Sequence, residues 1–291
     1  MSKILLLTPA ADNPAYVAVA PTWFARHSAA LATAGFVCEG ASWTEPFDPS
    51  PYAAVMPLLT WGYHLRQADW AALLDRLEAS GVPVFNSVEV LRWNTRKTYL
   101  AELAARGAPV VPTLTVDRVT PALIEEARRQ FDTDIVVAKP QVSGGSHQTL
   151  KLAPGDPLDG APTGPALIQP FLPAVGEEGE LALFYFNGRY SHAVAKVAAP
   201  GDFRVQVQFG GVSTPIDPPP EALAAAEAVL QAAGRPIVYC RIDLIRGLDG
   251  KLALMELEAL EPDLFLEHAP DGGAMFGAAV REALQVHPPE A

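Results

Sequence analysis

Cysteine is nearly absent. Cys38 and Cys240 are the only two in 291 residues and lie far apart, so a disulfide framework is excluded and two reduced, buried thiols in a cytosolic protein are expected. Positive charge is also scarce, with 21 Lys and Arg against 33 Asp and Glu, a net charge of −12. No basic run interleaved with aromatics is present to track a phosphate backbone, which removes nucleic acid from the expected partners. No apolar run reaches the roughly 20 residues that a membrane span needs. KILLLTPA near the start is too short for a secretory h-region with its cleavage site, so the cytoplasm is the expected location. Several catalytic signatures are missing as well. There is no G-x-G-x-x-G after the first strand, no G-x-x-x-x-G-K-[ST], no G-x-S-x-G, no HExxH and no CxxC. If the chain handles phosphate, it does so by other means.

What is present is an α/β pattern. Lys3 to Thr8 is an apolar strand, followed by a helix predicted from Thr22 to Ala34 and stopped at Gly35. Strands are predicted at 36–43, 52–61 and 82–85, with a helix over 67–79 between the last two. Such alternation implies a parallel sheet, whose ligands bind beyond the carboxyl ends of its strands, here near Asp12 and Trp61 to His64. Trp61 and Tyr63 serve equally well as residues that close a core. One long helix is predicted over 86–106, then an extended stretch to Val116 and a helix over 121–131.

The most informative stretch runs from Arg241 to Asp263. Asp249-Gly250 is a strong hairpin signal. With Leu248 and Lys251 flanking a two-residue turn, Asp243 faces Glu256 and Arg241 faces Glu258. The period of two then places Asp243, Glu256 and Glu258 on one face and Met255 and Leu257 on the other. Opposed carboxylates repel unless something neutralises them, and a divalent cation would do so. A solvated acidic strand with Arg241 paired to Glu258 accounts for the same pattern.

Other segments supply cations and a flexible turn. In DIVVAKPQVSGGSHQTLKL a buried strand carries Lys139 into a turn of Ser143, Gly144, Gly145 and Ser146, whose backbone N–H groups could cover phosphate oxygens. An ordinary Gly-rich hairpin reads the same way. His147 in this turn is a candidate general base or a surface residue. ALIQPFL at 166–172 is a short apolar strand, Asn187-Gly188 marks another hairpin whose return strand bears Lys196, and Arg204 lies on a strand predicted over 202–208. Helices follow at 220–233 and 274–284, and the apolar face from Ala222 to Leu230 suits either a core or a homodimer interface.

In this order Lys97, the VVAKP strand with its SGGS turn, ALIQPFL, Lys196, Arg204, Asp243 and MELEALEP resemble the ATP-grasp family, over about residues 90 to 270. The likeness is to its carboxylate-amine ligases of the glutathione-synthetase and ribosomal protein S6-modifying kind. The resemblance implies an N-terminal α/β domain over 1–92, then a small lobe over 93–171 and a C-terminal lobe over 172–291 that clasp ATP. It places Lys97, Lys139, Ser143, Gly144 and Gly145 at the ATP phosphates, Gln169 and Leu172 at the adenine hinge, and Glu177 at the ribose. Asp243, Glu256 and Glu258 would hold Mg²⁺, while Lys196 and Arg204 would face the γ-phosphate and the reacting acyl group. Many relatives carry E-x-N where this chain has Glu256-Leu257-Glu258, and this form, with Glu261-Pro262, is similar to the cycloserine-forming branch.

The activity so implied joins a small carboxylic acid to an amine (or thiol) through an acyl phosphate. That chemistry asks for positioning and charge neutralisation and needs no protein nucleophile, in keeping with the missing motifs. A phosphotransferase or a nucleotide-binding protein without turnover are the other readings of the same parts.

Overall fold

The computed structural model describes residues 2–199, 201–205 and 209–286. Ile4, Leu5, Leu6 and Leu7 are at most 1% exposed, as expected of a strand covered on both faces. They form β1 (Ser2–Thr8), the centre of a parallel sheet ordered β2-β1-β3 with β2 (Phe36–Ser42) and β3 (Ala54–Met56). Helix α1 (Pro14–Thr33) covers Ile4 and Leu6, while α2 (Gln67–Ala79) covers Leu5 and Leu7. Each such buried side chain contributes about 1.5–3 kcal/mol, which makes β1 the anchor of this layer.

Two boundaries here differ from expectation. Helix α1 starts at Pro14 rather than Thr22, because Asn13 Oδ1 accepts the Tyr16 N–H and Pro14 suits the first helical position. Pro21 lies inside the helix, where it leaves the carbonyl of exposed Val17 to water. Strand β3 stops at Met56 because Pro57 has no N–H, and the segment at 82–85 contributes only a Val55–Val84 bridge around Pro83.

The long helix predicted over 86–106 is two helices, α3 (Val88–Thr95) and α4 (Tyr99–Ala105). Between them the Lys97 N–H donates to the Gln141 carbonyl at 2.8 Å instead of continuing the helical ladder. The break turns the Lys97 side chain toward the glycine-rich turn. Both helices pack against the large sheet described next, with Val90, Tyr99, Leu100 and Leu103 in its core.

A four-stranded antiparallel sheet, ordered β4-β7-β5-β6, is built from β4 (Leu114–Val116), β5 (Val136–Pro140), β6 (Leu150–Leu152) and β7 (Ala166–Pro170). Helix α5 (Pro121–Phe131) packs Ile124 and Ala127 on it. After the one-turn α6 (Ala174–Glu177) comes the larger sheet, ordered β10-β9-β8-β11-β12. Its strands are β8 (Glu180–Phe186), β9 (Arg189–Val197), β10 (Val212–Ile216), β11 (Tyr239–Arg246) and β12 (Leu252–Glu258). Helix α7 (Pro220–Ala233) buries Ala222, Ala226 and Val229 against it, so that apolar face is core. Strand β10 was not expected from the sequence; its Pro215 is tolerable because the strand lies at the sheet edge. The strand predicted over 202–208 does not form at 202–205, and 206–208 lie outside the described residues.

The last helix, α8 (Ala274–Val286), returns to α1. A Cβ on Gly277 would stand 2.6 Å from the Ala30 carbonyl oxygen, so the two helices approach as closely as glycine allows. Phe276 joins Ile4 and Leu6 to Phe184 and Phe186 in one core, which ties the parallel sheet to the larger one. No helix among the described residues is long and apolar enough to cross a membrane.

Candidate active site

The acidic hairpin has the predicted pairing where it matters. Asp243 faces Glu256 and Arg241 faces Glu258 across β11 and β12. The turn itself differs: Arg246 pairs with Leu252, so the loop runs from Gly247 to Lys251, closed by a 2.8 Å bond from the Gly247 N–H to the Lys251 carbonyl. An irregularity between Asp243 and Leu244 makes up the offset, with Met255 as the extra residue on β12. One consequence corrects the expected facing of Met255. Its sulfur lies 3.7 Å from Lys139 Nζ, on the side of the charged residues.

The opposed acids are neutralised by side-chain cations. Lys97 Nζ stands 2.9 Å from Glu256 and donates to the Ser143 carbonyl at 2.7 Å. Lys196 Nζ bridges Glu180 at 3.0 Å and Asp243 at 2.9 Å. Arg241 binds Asp243 at 3.0 Å, reaches the Asp263 carbonyl at 3.2 Å, and pairs with Glu258. Among the described residues no three His, Cys, Asp or Glu side chains gather as a metal-holding group on their own.

These contacts set the protonation states. Burial alone would raise the Asp243 carboxyl, but Arg241 and Lys196 outweigh it and hold it below its ordinary value. Glu256 is likewise held down against burial by Lys97 and Lys139. Burial raises Glu258 to about 7 despite Arg241, with Glu256 and Asp243 adding to the rise. Lys196 is raised above its usual range because Asp243 and Glu180 override its burial.

Lys139 has no such partner. The residue is 8% exposed, and its ammonium makes no ion pair among the described residues and is pushed downward by burial. A buried cation without a counter-ion beside an ordered set of paired charges is a seat for an anion from outside the chain.

The glycine-rich turn closes over this cluster. Ser143 offers its carbonyl to Lys97, and Gly145 takes a φ of 57° that favours glycine. A Cβ on Gly144 would stand 3.1 Å from His64 Nδ1 and 3.7 Å from Glu261 Oε1. The His147 ring in the turn lies 5.4 Å from that of His64. His64 is 8% exposed, and burial, with His147 and Lys97 adding, lowers it to about 4. On the same loop Trp61 packs against Tyr16, ring centroids 5.9 Å apart. The loops beyond the parallel strands therefore do reach the charged cluster, while Asp12 is spent on an exposed ion pair with Arg66.

Leu172 and Gln169, the residues expected at the adenine hinge, are both buried. Leu172 sits with Val111, Val175 and Ile245, and Gln169 donates to Thr113 Oγ1 at 2.9 Å. Glu177 is exposed at the end of α6. Arg204 stands apart from the other predicted cations, binding Asp202 at 2.7 Å and stacking on Phe209. The residues that the sequence reading did not select for the site are Glu180 and Glu261, while His64 was named only as the end of the candidate ligand loop Trp61 to His64. Glu180 was within reach, since it faces Lys196 across the Asn187-Gly188 hairpin. A register shift between Phe184 and Tyr185 obscures that pairing.

Comparison with known proteins agrees with this geometry. Residues 5–86 match the model of the D-cycloserine synthetase DcsG N-terminal domain. The cycloserine biosynthesis protein DcsG of Streptomyces lavendulae is 31% identical over 277 residues, which cover 88% of this chain and 92% of the relative. The chain belongs to the DcsG family of ATP-grasp ligases. The crystal structure of D-cycloserine synthetase DcsG superposes with a TM-score of 0.83 at 28% identity, over 97% of this chain and 99% of that one. D-alanine–D-alanine ligase from Bacillus anthracis, complexed with ATP, shares the fold, with a TM-score of 0.71 at 14% identity over the whole of both chains. This DcsG-family chain is an ATP-dependent carbon–nitrogen ligase acting on a small, amino-acid-like substrate.

Proposed function

We propose that the chain activates the carboxyl group of a small amino acid by transfer of the γ-phosphoryl group of ATP, and that an amine then displaces phosphate from the acyl phosphate. The observation that carries this is Lys139, a buried cation with no counter-ion, next to Lys97 and the paired acids of β11 and β12. Phosphoryl transfer makes no demand for a protein nucleophile; it requires cations around the transferring group and exclusion of water. Lys97 and Lys139 bind the phosphates, Lys97 exchanging part of its pairing with Glu256 for phosphate oxygens. Backbone N–H groups of Ser143, Gly144 and Gly145 cover them. The apolar cluster around Leu172 takes the adenine, Gln169 lies at the same hinge, and Glu177 reaches the ribose.

The donor set suits Mg²⁺. The ion commonly takes one or two carboxylates, with phosphate oxygens and water completing its shell. Glu256 and Glu258 stand on alternate positions of β12 with part of each carboxylate open, 25% and 28% exposed. Asp243 is 4% exposed and already bound by Arg241 and Lys196, so it supports the set from behind. When bound, Mg²⁺ would neutralise β- and γ-phosphate charge. Lys196 organises Asp243 and Glu180, and Arg204 reaches the reacting acyl group only by giving up Asp202.

The parallel domain (1–92) supplies the substrate side, and the lobes over 93–171 and 172–291 close on ATP. Free Cys38 and Cys240 suit the reducing cytoplasm, where ATP is held. The DcsG relatives are named for cycloserine, which supports D-amino acids as the first compounds to try. The test is ADP release from Mg-ATP with pools of D- and L-amino acids and small carboxylates, Glu256→Gln serving as control. Stimulation by a pool in the native protein alone is expected. A phosphorylated product that accumulates without an amide would replace the ligase step with simple phosphotransfer.

A further inference from the structure

The charges of the site are matched one against another with two exceptions. Glu180, Asp243, Glu256 and Glu258 each hold a Lys or Arg within ion-pair distance. The first exception is Lys139, assigned above to phosphate. The second is Glu261, an acid of opposite sign. It has neither an ion pair nor a hydrogen-bond donor among the described residues, and its carboxylate lies behind the glycine-rich turn. Arg241 and Lys97, the nearest cations felt by Glu261, are already engaged by Asp243 and Glu258 and by Glu256.

An independent observation marks the same spot. His64 is more than nine-tenths buried, and its Nδ1 has no hydrogen-bond partner. That nitrogen and Glu261 Oε1 both approach one point, 3.1 and 3.7 Å from where a Gly144 side chain would begin. A buried nitrogen and a half-buried carboxylate, neither with a hydrogen-bond partner among the described residues, around one point call for a ligand with several N–H donors and a positive charge. Tyr16, which feels the Glu261 charge, packs 5.9 Å from the Trp61 ring and supplies apolar and cation-accepting surface.

We propose that Glu261, with His64 beside it, seats the ammonium group of the amino-acid substrate. The proposal rests on the reading that the carboxyl group is activated at Lys139 and β12. It adds that the substrate is read by charge at both ends, phosphate side and amine side. A deamino acid of the same length satisfies the first end and leaves Glu261 bare, and is thereby rejected.

The experiment is a thermal shift in saturating Mg-ADP, with a pool of D- and L-amino acids compared with the matching pool of deamino acids. In the native protein the amino pool is expected to raise the midpoint by about 2 °C or more beyond the deamino pool. In Glu261→Gln that difference should vanish while the Mg-ADP shift itself stays, which also reports that the variant folds. A difference that persists in Glu261→Gln overturns the proposal, and so does a native protein that prefers neither pool. Failure of carboxyl activation reads out separately. Binding preference with no ADP release in the turnover assay would remove the activation step and leave the ammonium seat standing.

Discussion

Lys97 Nζ and Glu256 Oε1 stand 2.9 Å apart, joining the break between α3 and α4 to the acidic face of β12. The pair holds the cation proposed to bind ATP and the acid proposed to hold Mg²⁺ in place before either ligand arrives.

Removing one partner strands the other. In Lys97→Met, Glu256 loses its ion-pair partner and keeps only the more distant Lys139 charge, and the apo protein should lose on the order of 3 kcal/mol of stability in urea unfolding. Lys97→Met/Glu256→Leu should regain most of that stability without regaining ADP release. If the double variant is no more stable than the single, the pair does not have the structural part assigned to it.

Lys139 should behave in the opposite way. Its burial without a counter-ion is a cost in the free protein, so Lys139→Met is expected to match or exceed native stability by about 1–2 kcal/mol. ADP release should fall at least a hundredfold, on the order of 3 kcal/mol of transition-state stabilisation. A variant that is both destabilised and active would reverse the assignment.

Gly144 tests closure of the turn. Its backbone needs no special φ, so Gly144→Ala acts mainly through the tight contact with His64, 3.1 Å from the new methyl group, with Glu261 Oε1 in ordinary contact at 3.7 Å. Turnover is expected to drop about tenfold to a hundredfold. His64→Ala in the same chain should restore part of the nucleotide closure, visible as protection of the turn from proteolysis in Mg-ADP.

His64 should also shape the acid limb of stability. Its imidazole takes a proton near 6.5 when exposed and only near 4 in the fold, chiefly through burial. Between those values the unfolded chain binds more protons, so the contribution is complete above pH 6.5 and is lost as pH falls toward 4. The loss amounts to at most about 3 kcal/mol. His64→Phe should flatten the decline in Tm over that window, and an unchanged slope would show that the imidazole is not held neutral.

What the sequence determined by itself is local. Alternation of apolar residues, turn residues at Asn187-Gly188 and Asp249-Gly250, and glycine stops named most of the elements, and the order of the lysines and acids named the family. The facing of Asp243 and Glu256 was legible for the same reason, since strand pairing near a turn follows from a count of residues. That count missed the bulge at Met255, because a bulge depends on how both strands pack rather than on either pattern. The pairing of Arg241 with Glu258 was legible in the same way, being local to the hairpin. Tertiary structure alone decided that Lys97 meets Glu256 and that Lys196 meets Asp243, because elements distant in sequence pack at fixed separations. The same holds for Glu261 and His64. Only the packing of the parallel domain against the β12 end brings the buried, unpartnered His64 nitrogen and the half-buried Glu261 carboxylate to one point.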